Sequence, residues 1–177
     1  MKDQYTVRKC GGNKGHIFFQ QHHYLGGAFL PDAVAGGFYS EHIFYGLFKG
    51  DEMVGVVQFC EAKSRNSPRD MYDYFGFYDQ GRGFWDIVRL AVAPHDEHNL
   101  TSWFLSRAIK LLRQEFDVRY LLTLADDRYH DGTIYHATNF DYYGKKNGLV
   151  PEDYSVYYHV FGKVYDNKLL DNKHELC

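Results

Sequence analysis

A buried strand, an amphipathic helix and a second buried strand follow one another in the middle of the chain, and this order constrains the fold most. Trp85–Val92 is apolar on both alternating faces, as in a strand that is covered on both sides. Apolar residues then recur at helical spacing from Leu100 to Phe116, after Asn99 as the candidate N-cap. Arg119–Leu124 is the next apolar strand. The run therefore predicts a βαβ unit with parallel strands and a right-handed crossover.

Further strands extend this unit into a mixed sheet. Ile43–Phe48 and Met53–Cys60 are separated by a turn-forming Lys-Gly-Asp-Glu and predict an antiparallel hairpin. A short helix is predicted at Gly132–Thr138 and a long last strand at Tyr154–Val164. We therefore expect an α/β fold in which a central mixed β-sheet is flanked by helices.

The length of 177 residues fits one domain, which we expect to cover residues 1–177 with polar, loosely ordered ends at 1–15 and about 166–177. The net charge of −3 excludes a chain that is basic throughout, but it leaves room for a local nucleic-acid patch. The three cysteines lack the spacing of a disulfide framework or a zinc site. No segment has the pattern of a signal peptide or a membrane span, so we expect a cytoplasmic protein.

The predicted topology points to two candidate ligand-binding segments. In open α/β sheets, ligands bind beyond the carboxyl ends of the parallel strands. The polar segments Ala93–Asn99 and Ala125–Gly132 follow the two predicted parallel strands. The helix after Asn99 also begins with free N–H groups that suit a phosphate. Thr101 and Ser102 lie in its first turn, where capping, phosphate binding and neither role all stay open.

Several reactive side chains belong to the same region. Asp126 directly follows an apolar strand, where a carboxylate with restricted solvent can accept a proton or orient a donor. Tyr135 lies in the next helix and can donate a proton to a leaving thiolate or amine. Arg89 is charged inside an apolar strand and needs an anionic or carbonyl partner, so a structural salt bridge and a functional role are equally open. Cys60, at a strand end, is a nucleophile candidate without an evident histidine partner.

The histidines do not complete a metal-binding pattern. His22 and His23 are adjacent and would point to opposite faces of a strand, which disfavours a shared metal ion. His95 and His98 are three residues apart, but a solvated loop explains them better because no further ligands complete a site nearby.

The hairpin followed by strand, helix and strand resembles the fold of GCN5-related acetyltransferases. In that family the strand equivalent to Trp85–Val92 leads into a pyrophosphate-binding loop with the pattern Gln/Arg-x-x-Gly-x-Gly/Ala. The corresponding stretch here, PHDEHNLTS, contains no glycine. The resemblance implies an acyl-CoA donor, whereas the missing glycines argue against a conventional site for it.

A longer motif is more specific. The stretch LADDRYHDGTIYHATNFDYYG resembles the signature of phage Mom-type DNA-modification proteins, which share the acetyltransferase-like fold. HHYLGG is similar to the family's His-Tyr-x-Gly element, and RLAV followed by Asn99 and Ser102 is similar to its middle segment. The resemblance covers roughly His22 to Gly144, about two-thirds of the chain.

The resemblance implies a transferase that places a methylcarbamoyl or carbamoylmethyl-type group on N6 of adenine in DNA, which protects phage DNA from restriction. The implied catalytic residues are His23, Tyr24, Arg89, Ser102, Asp126 and Tyr135. The implied donor-binding residues are Val92, Asn99, Thr101 and Ser102, and Gly132 and Tyr143 also match the family's motifs. The implied donor is acetyl-CoA or a related acyl compound. Iron has been considered for the family, and its first candidate ligands here are His23, Tyr24 and Asp126.

Modification of N6 requires the adenine to leave the double helix, because this nitrogen is a poor nucleophile inside a base pair. The aromatic residues of Tyr72–Phe77 and Tyr142–Tyr143 are the candidates that stack the displaced base. The residues expected to contact the DNA are Lys63, Arg65, Arg69, Tyr143, Lys145 and Lys146.

Two other functions stay open. The fold also fits an acyl-CoA-dependent N-acetyltransferase that acts on a protein or a small amine, for which CoA binding is the distinguishing property. A non-catalytic binding module, such as a phage protein that sequesters a host factor, would keep its activity after Asp126→Ala and Tyr135→Phe, whereas an enzyme would lose turnover.

Overall fold

The computed structural model describes residues 2–24, 39–62, 83–147 and 156–165, which build one seven-stranded sheet with helices on both faces. The elements are, in chain order, a 3-10 turn at Lys2–Gln4, β1 (Tyr5–Lys9), α1 (Gly12–His22), β2 (Tyr39–Lys49), β3 (Glu52–Ala62), β4 (Phe84–Val92), α2 (Leu100–Glu115), β5 (Tyr120–Asp126), α3 (Thr133–Ala137), β6 (Asp141–Asn147) and β7 (Tyr157–Val164).

The strand order is β1-β2-β3-β4-β5-β7-β6, and β4 and β5 are the parallel pair in this sheet. The predicted βαβ unit is therefore confirmed, with α2 as the crossover helix. The predicted hairpin is β2–β3, the predicted short helix is α3, and the predicted last strand is β7. The expected mixed sheet flanked by helices is confirmed.

Two separate cores hold the helices on the sheet. On the side that we call the α2 face, α2 buries Phe104, Leu105 and Leu112 against a large apolar cluster that includes Phe59 and Leu121. On the opposite side, the α1 face, Phe18 and Phe19 of α1 pack on Phe44, Val56 and Ala91. Each fully buried large apolar side chain contributes roughly 1.5–3 kcal/mol relative to an exposed one. The sheet is thus fixed from both sides, as the apolar pattern of β4 predicts.

Elements that the sequence analysis did not predict lie at the ends of the sheet. Residues 1–15 were expected to be loosely ordered, but they contain β1 and the start of α1. β6 was also not predicted. Both strands are the outermost in the sheet and are mostly exposed, so few of their residues need to be apolar. His22 ends α1 and His23 caps it, so the expectation that these two histidines alternate along a strand is wrong.

The two parallel strands separate before they end. β4 and β5 pair only from Phe84–Ile87 with Tyr120–Thr123. At the next residue of β4, Val88, the pairing with β3 shifts register, because Phe59 pairs with Ile87 and Gln58 with Arg89. Such a bulge bends a strand and ends regular pairing. The remaining halves, Val88–Val92 and Leu124–Asp126, therefore border a gap inside the sheet, which we call the sheet opening.

Among the described residues, none of the helices is both long and apolar enough to cross a membrane.

Gly132, which precedes α3, should tolerate no side chain. Its φ of +80° lies in the left-handed region, and a Cβ there would overlap the ring of buried Phe161. We expect Gly132→Ala to lower the free energy of unfolding by about 2–4 kcal/mol, from backbone strain and overpacking together. Gly50→Ala is the matched control, because φ is +60° there but nothing lies within 4 Å of the added Cβ. Gly50→Ala should lower the free energy of unfolding by about 1 kcal/mol, measured by urea unfolding. If both substitutions lower the free energy of unfolding equally, the Phe161 ring moves aside to admit the new side chain.

Candidate functional site

The mouth of the sheet opening on the α1 face collects residues from three distant parts of the sequence. Arg89 comes from β4, Asp126 ends β5, and His23 and Tyr24 end α1. The electrostatic interactions of Tyr24 include both Asp126 and Arg89, which shows that the three groups share one region. Four residues that the resemblance indicated are therefore brought together. Their catalytic roles stay predictions.

Asp126 is a buried carboxylate held by a fixed partner. It is 1% exposed. Arg128 donates to Oδ1 from its backbone N–H and its Nε, each at 3.0 Å, and to Oδ2 from Nη2 at 2.7 Å. Burial raises the pKa of Asp126, but the hydrogen bonds from Arg128 outweigh it and hold this pKa below the ordinary 3.8. The carboxylate is therefore ionised at neutral pH and suits orientation of a partner better than uptake of a proton.

Two neighbouring histidines are neutral at pH 7. Burial, reinforced by Arg89 and His130, lowers the pKa of His23 to about 4. Burial also lowers the pKa of His130, although Asp126 and Asp131 oppose this effect. A neutral imidazole has one ring nitrogen that can accept a hydrogen bond or a proton. The site thus offers two uncharged acceptors beside the ionised Asp126.

Arg89 lies mostly buried on the α1 face, with its guanidinium carbon 6.0 Å from the centre of the Phe19 ring. Burial lowers its pKa, and Tyr24 acts in the opposite direction. Arginine stays charged even so, because its ordinary pKa lies far above neutrality. The region therefore keeps a fixed positive charge in a setting with little solvent, where a charge interacts strongly with a developing negative oxygen.

Tyr135 reaches the opening from the opposite side of the sheet. It belongs to α3, is buried, and packs on Phe140 and Phe161 in the core of the α2 face. Burial raises its pKa, and a hydrogen bond with Thr123 lowers it in part. Tyr135 nevertheless interacts electrostatically with Tyr24 on the α1 face. The two phenols therefore lie on opposite faces of the sheet, and Tyr135 stays protonated at neutral pH.

The segment between β4 and α2 carries the predicted donor-binding residues. Val92 ends β4 and is half-buried. Asn99 takes the predicted N-cap position, with φ +59° and without a hydrogen bond from its side chain. Ser102 Oγ instead donates to the Asn99 carbonyl at 3.2 Å. Thr101 Oγ1 lies 3.2 Å from Nε2 of the exposed His95.

An acidic residue of this segment is turned away from the helix start. Glu97 Oε1 accepts hydrogen bonds from Tyr5 Oη at 2.6 Å and Gln4 Nε2 at 2.8 Å. The N–H of Leu100, the first of α2, donates to the Glu97 carbonyl at 3.4 Å. The N–H groups of Thr101 and Ser102 come next and have no partners within the helix by its geometry. The helix start can therefore receive an anion although the segment contains no glycine.

The predicted DNA contacts are only partly visible. Lys63, Arg65, Arg69 and Tyr72–Phe77 lie outside the described residues. Tyr143 is half-buried in a small cluster with Phe84 and Tyr120, and burial raises its pKa. Lys145 is exposed and pairs with Asp127, while Lys146 beside it is half-buried. The proposed DNA contacts therefore stay predictions.

A chain of polar residues next to the site was missed. His159 Nε2 lies 2.7 Å from Asp127 Oδ1, and His159 Nδ1 lies 2.9 Å from Tyr142 Oη. Tyr142 was expected to stack a base, and it is exposed, but its hydroxyl is engaged in this chain. His159 sits within a predicted strand of aromatic and apolar residues. Only the pairing of β7 with β5 and β6 reveals the partners of His159.

Cys60 has a histidine neighbour that the sequence did not reveal. Its Sγ lies 3.9 Å from Nε2 of His42, whose Nδ1 lies 2.6 Å from the amide of Gln58. Cys60 is nevertheless fully buried, and reactive cysteines need access to their substrates. The arrangement therefore lends little support to a nucleophilic role.

The residues near Asp126 do not fit a metal ion. Within the described ranges, no group of three or more histidine, cysteine, aspartate or glutamate side chains is placed to hold one. Both carboxylate oxygens of Asp126 are engaged by Arg128, and the His23 ring stacks on Tyr24 at 4.4 Å. Iron ligation by His23, Tyr24 and Asp126 thus finds no support in this arrangement.

Solved structures with the same architecture define the class of fold. NAA60 of Arabidopsis thaliana, in complex with acetyl-CoA, has a TM-score of 0.66 at 11% identity, over 91% of this chain and 99% of that one. An acetyltransferase of the GNAT family from Streptococcus pneumoniae gives 0.61 at 14% identity, over 92% and 99%. FeeM, an N-acyl amino acid synthase from uncultured soil microbes, gives 0.58 at 13%, over 90% and 91%. The chain therefore has the GNAT acetyltransferase fold, as predicted.

The sequence identifies the family within this class. The model of the Mom protein family matches residues 4–174, so the chain belongs to the Mom protein family. Methylcarbamoylase mom of Escherichia phage Mu is 28% identical over 122 residues, which make up 68% of this chain and 49% of that protein. The chain thus spans about half the length of this curated relative. The resemblance drawn from the sequence motifs is confirmed.

The Asp126–Arg128 pair should make stability depend on pH. Because the pKa of folded Asp126 is depressed, its stabilisation is present above the ordinary value of 3.8 and is lost as the pH falls through the lower folded value. We expect Asp126→Asn to destabilise the protein at pH 7 and to have much less effect near pH 3, measured by urea unfolding. In an Arg128→Gln background burial alone would raise the pKa of Asp126, so the difference between the two pH values should be lost or reversed in sign. An effect of Asp126→Asn that is the same at both pH values would contradict this assignment.

Proposed function

We propose that this Mom-family chain is a transferase that places a methylcarbamoyl or carbamoylmethyl-type group on N6 of adenine in DNA, and so protects phage DNA from restriction. The observation that carries the proposal is the sheet opening, with Arg89, Asp126 and Tyr24 gathered at its mouth on a GNAT fold. The relative named a methylcarbamoylase supports the nature of the group. The enzyme would act in the cytoplasm of the infected cell.

The opening suits a group donor of the acyl-CoA type. Beyond Ile87, the β4 edge that faces β5 no longer pairs with it, so its backbone groups are available to an extended, amide-containing chain. The start of α2, with Thr101 and Ser102, follows β4 after the segment Ala93–Asn99 and provides N–H groups for phosphate. A donor of this class would have to carry the methylcarbamoyl group on its thiol sulfur, so that the bond from the carbonyl carbon to adenine N6 forms as the carbon–sulfur bond breaks and the thiol leaves. Val92 and Asn99 would line its path between these two features.

The residues at the mouth would orient the reacting groups. Arg89 would stabilise negative charge that develops on the carbonyl oxygen. The ionised Asp126 would accept a hydrogen bond from the amino group of the adenine, while the neutral His23 or His130 accepts the proton that this group loses. Tyr135, which stays protonated, would donate a hydrogen bond or a proton to the leaving group through the opening. These roles follow from the charge states described above.

A second function has a specific observation in its favour. The similar solved structures include N-acetyltransferases, so the chain can also be an acyl-CoA-dependent N-acetyltransferase of a protein or small amine. The family membership favours DNA. The mass of the modified nucleoside separates the two, because only a DNA-modifying enzyme changes deoxyadenosine.

The first experiment is expression in bacteria, followed by digestion of the DNA and mass spectrometry of the nucleosides. We expect a deoxyadenosine of increased mass with the unaltered chain. Arg89→Gln should reduce its yield about 10²–10³-fold, the typical effect of removing one donor to a developing oxyanion. Arg107→Gln, which removes an exposed arginine from α2, is the control and should leave the yield unchanged.

The outcomes of this experiment distinguish the functions. Unmodified deoxyadenosine in the presence of folded protein would refute DNA modification and favour the acetyltransferase. An unchanged yield with Asp126→Ala and Tyr135→Phe would refute the roles given to these residues.

A charge added at the start of α2 tests the donor site. Ser102→Asp should weaken acetyl-CoA binding about 5- to 10-fold in calorimetry, because a carboxylate repels the phosphates at close range. The same carboxylate should leave the melting temperature unchanged or raise it, since it favours a helix N-terminus. Ser106→Asp, one turn further along α2, is the matched control and should bind normally. Equal affinities for the two variants would place the phosphates elsewhere.

A further inference from the structure

Four aromatic rings form a continuous ladder at the mouth of the sheet opening. The His23 ring stacks on Tyr24 with 4.4 Å between centroids and an interplanar angle of 27°. Tyr24 in turn lies 4.4 Å from Tyr129 at 32°. His130 meets Tyr24 edge-on, at 5.4 Å and 76°. The ladder joins the end of α1 to the turn after β5, although these parts are about a hundred residues apart in sequence.

Two members of this ladder, the central Tyr24 and the terminal Tyr129, are large aromatic side chains that stay exposed. Tyr24 is 41% and Tyr129 is 54% exposed. Aromatic rings contribute most when both of their faces are covered, so a ring left half in solvent at the end of a stack offers its surface to one further planar group. The ladder is therefore an unfinished stack beside the residues proposed to perform the transfer.

The turn that carries Tyr129 is fixed by Asp126. The backbone N–H groups of Tyr129 and His130 donate to the Asp126 carbonyl at 3.0 and 3.1 Å. The guanidinium carbon of Arg128 lies 5.4 Å from the centre of the Tyr129 ring. The half-exposed guanidinium that is paired with Asp126 thus also lies beside the exposed ring. Rigid aromatic rings beside positive charge are the features that bind unpaired nucleotides, because the rings stack the base and the charge attracts the phosphate.

We propose that the stacked rings of the ladder, those of His23, Tyr24 and Tyr129, are the platform on which a nucleobase displaced from DNA stacks. This inference rests on the proposed function, since it assigns the site where the adenine would be held. The adenine of a CoA-type donor is the other available purine. The ladder, however, belongs to α1 and the β5 turn on the α1 face, whereas the phosphate-receiving start of α2 belongs to the helix of the opposite face. The platform is accordingly assigned to the base of the DNA.

The test uses short DNA duplexes that contain 2-aminopurine opposite an abasic site, so that the purine is unpaired. Stacking on tyrosine should quench its fluorescence. Tyr129→Leu should weaken binding about 5- to 150-fold, the range that corresponds to removal of one base–aromatic stack, and should relieve the quenching. Tyr129→Phe keeps the ring and should behave like the unaltered chain. Tyr157→Leu removes another exposed tyrosine, half exposed on β7, and should also have no effect.

Three outcomes separate this inference from the proposed function. If the unaltered chain modifies deoxyadenosine but Tyr129→Leu binds and quenches normally, the platform is wrong and the function stands. If Tyr129→Leu lowers the affinity for acetyl-CoA rather than for the duplex, the ladder holds the donor and the platform is again refuted. If the unaltered chain neither binds the duplex nor modifies DNA, both proposals fall. Loss of duplex binding with normal acetyl-CoA binding in Tyr129→Leu supports the platform.

Discussion

The separation of β4 from β5 is the constraint on which the rest of the site depends. A parallel pair that stayed hydrogen-bonded to its ends would close the sheet and leave Tyr135 sealed beneath it. The bulge at Val88 bends β4, and the last link across the pair is the hydroxyl of Thr123, which donates to the Ile87 carbonyl at 3.3 Å. Thr123 also takes part in a hydrogen bond with Tyr135. The end of the pairing and the position of the buried phenol are thus fixed by the same side chain.

Ion pairing and burial limit the net charge around the opening. Asp126 is neutralised by Arg128, and burial keeps His23 and His130 uncharged. Arg89 adds a mostly buried positive charge on the α1 face, near the Phe19 ring. In the proposed function, the phosphates of the donor would bind separately, at the start of α2, where the segment PHDEHNLTS has no glycines.

The sequence predicts the parts of the fold whose residues must be buried. The apolar period of β4, α2 and β5 is strong because each is covered, and the βαβ unit follows from it. β1 and β6 escaped prediction because outermost strands have polar residues on most of their positions. The family motif indicated Asp126 and Tyr24, and Arg128 binds Asp126 from only two residues away. The contacts of Tyr129 and His159, however, join distant segments, which no local pattern encodes.

The polarity of the two outermost described strands has a consequence for the protein in a crowded solution. An exposed edge of a sheet presents unpaired backbone groups that can recruit a strand from another molecule. β1 carries Arg8 and Lys9 at its end, and β6 carries Lys145 and Lys146. Two such edges repel each other when copies meet. The chain is 45% hydrophobic and is built on an open sheet. The polar residues of β1 and β6, which made these strands hard to predict, therefore also protect the protein against edge-to-edge aggregation.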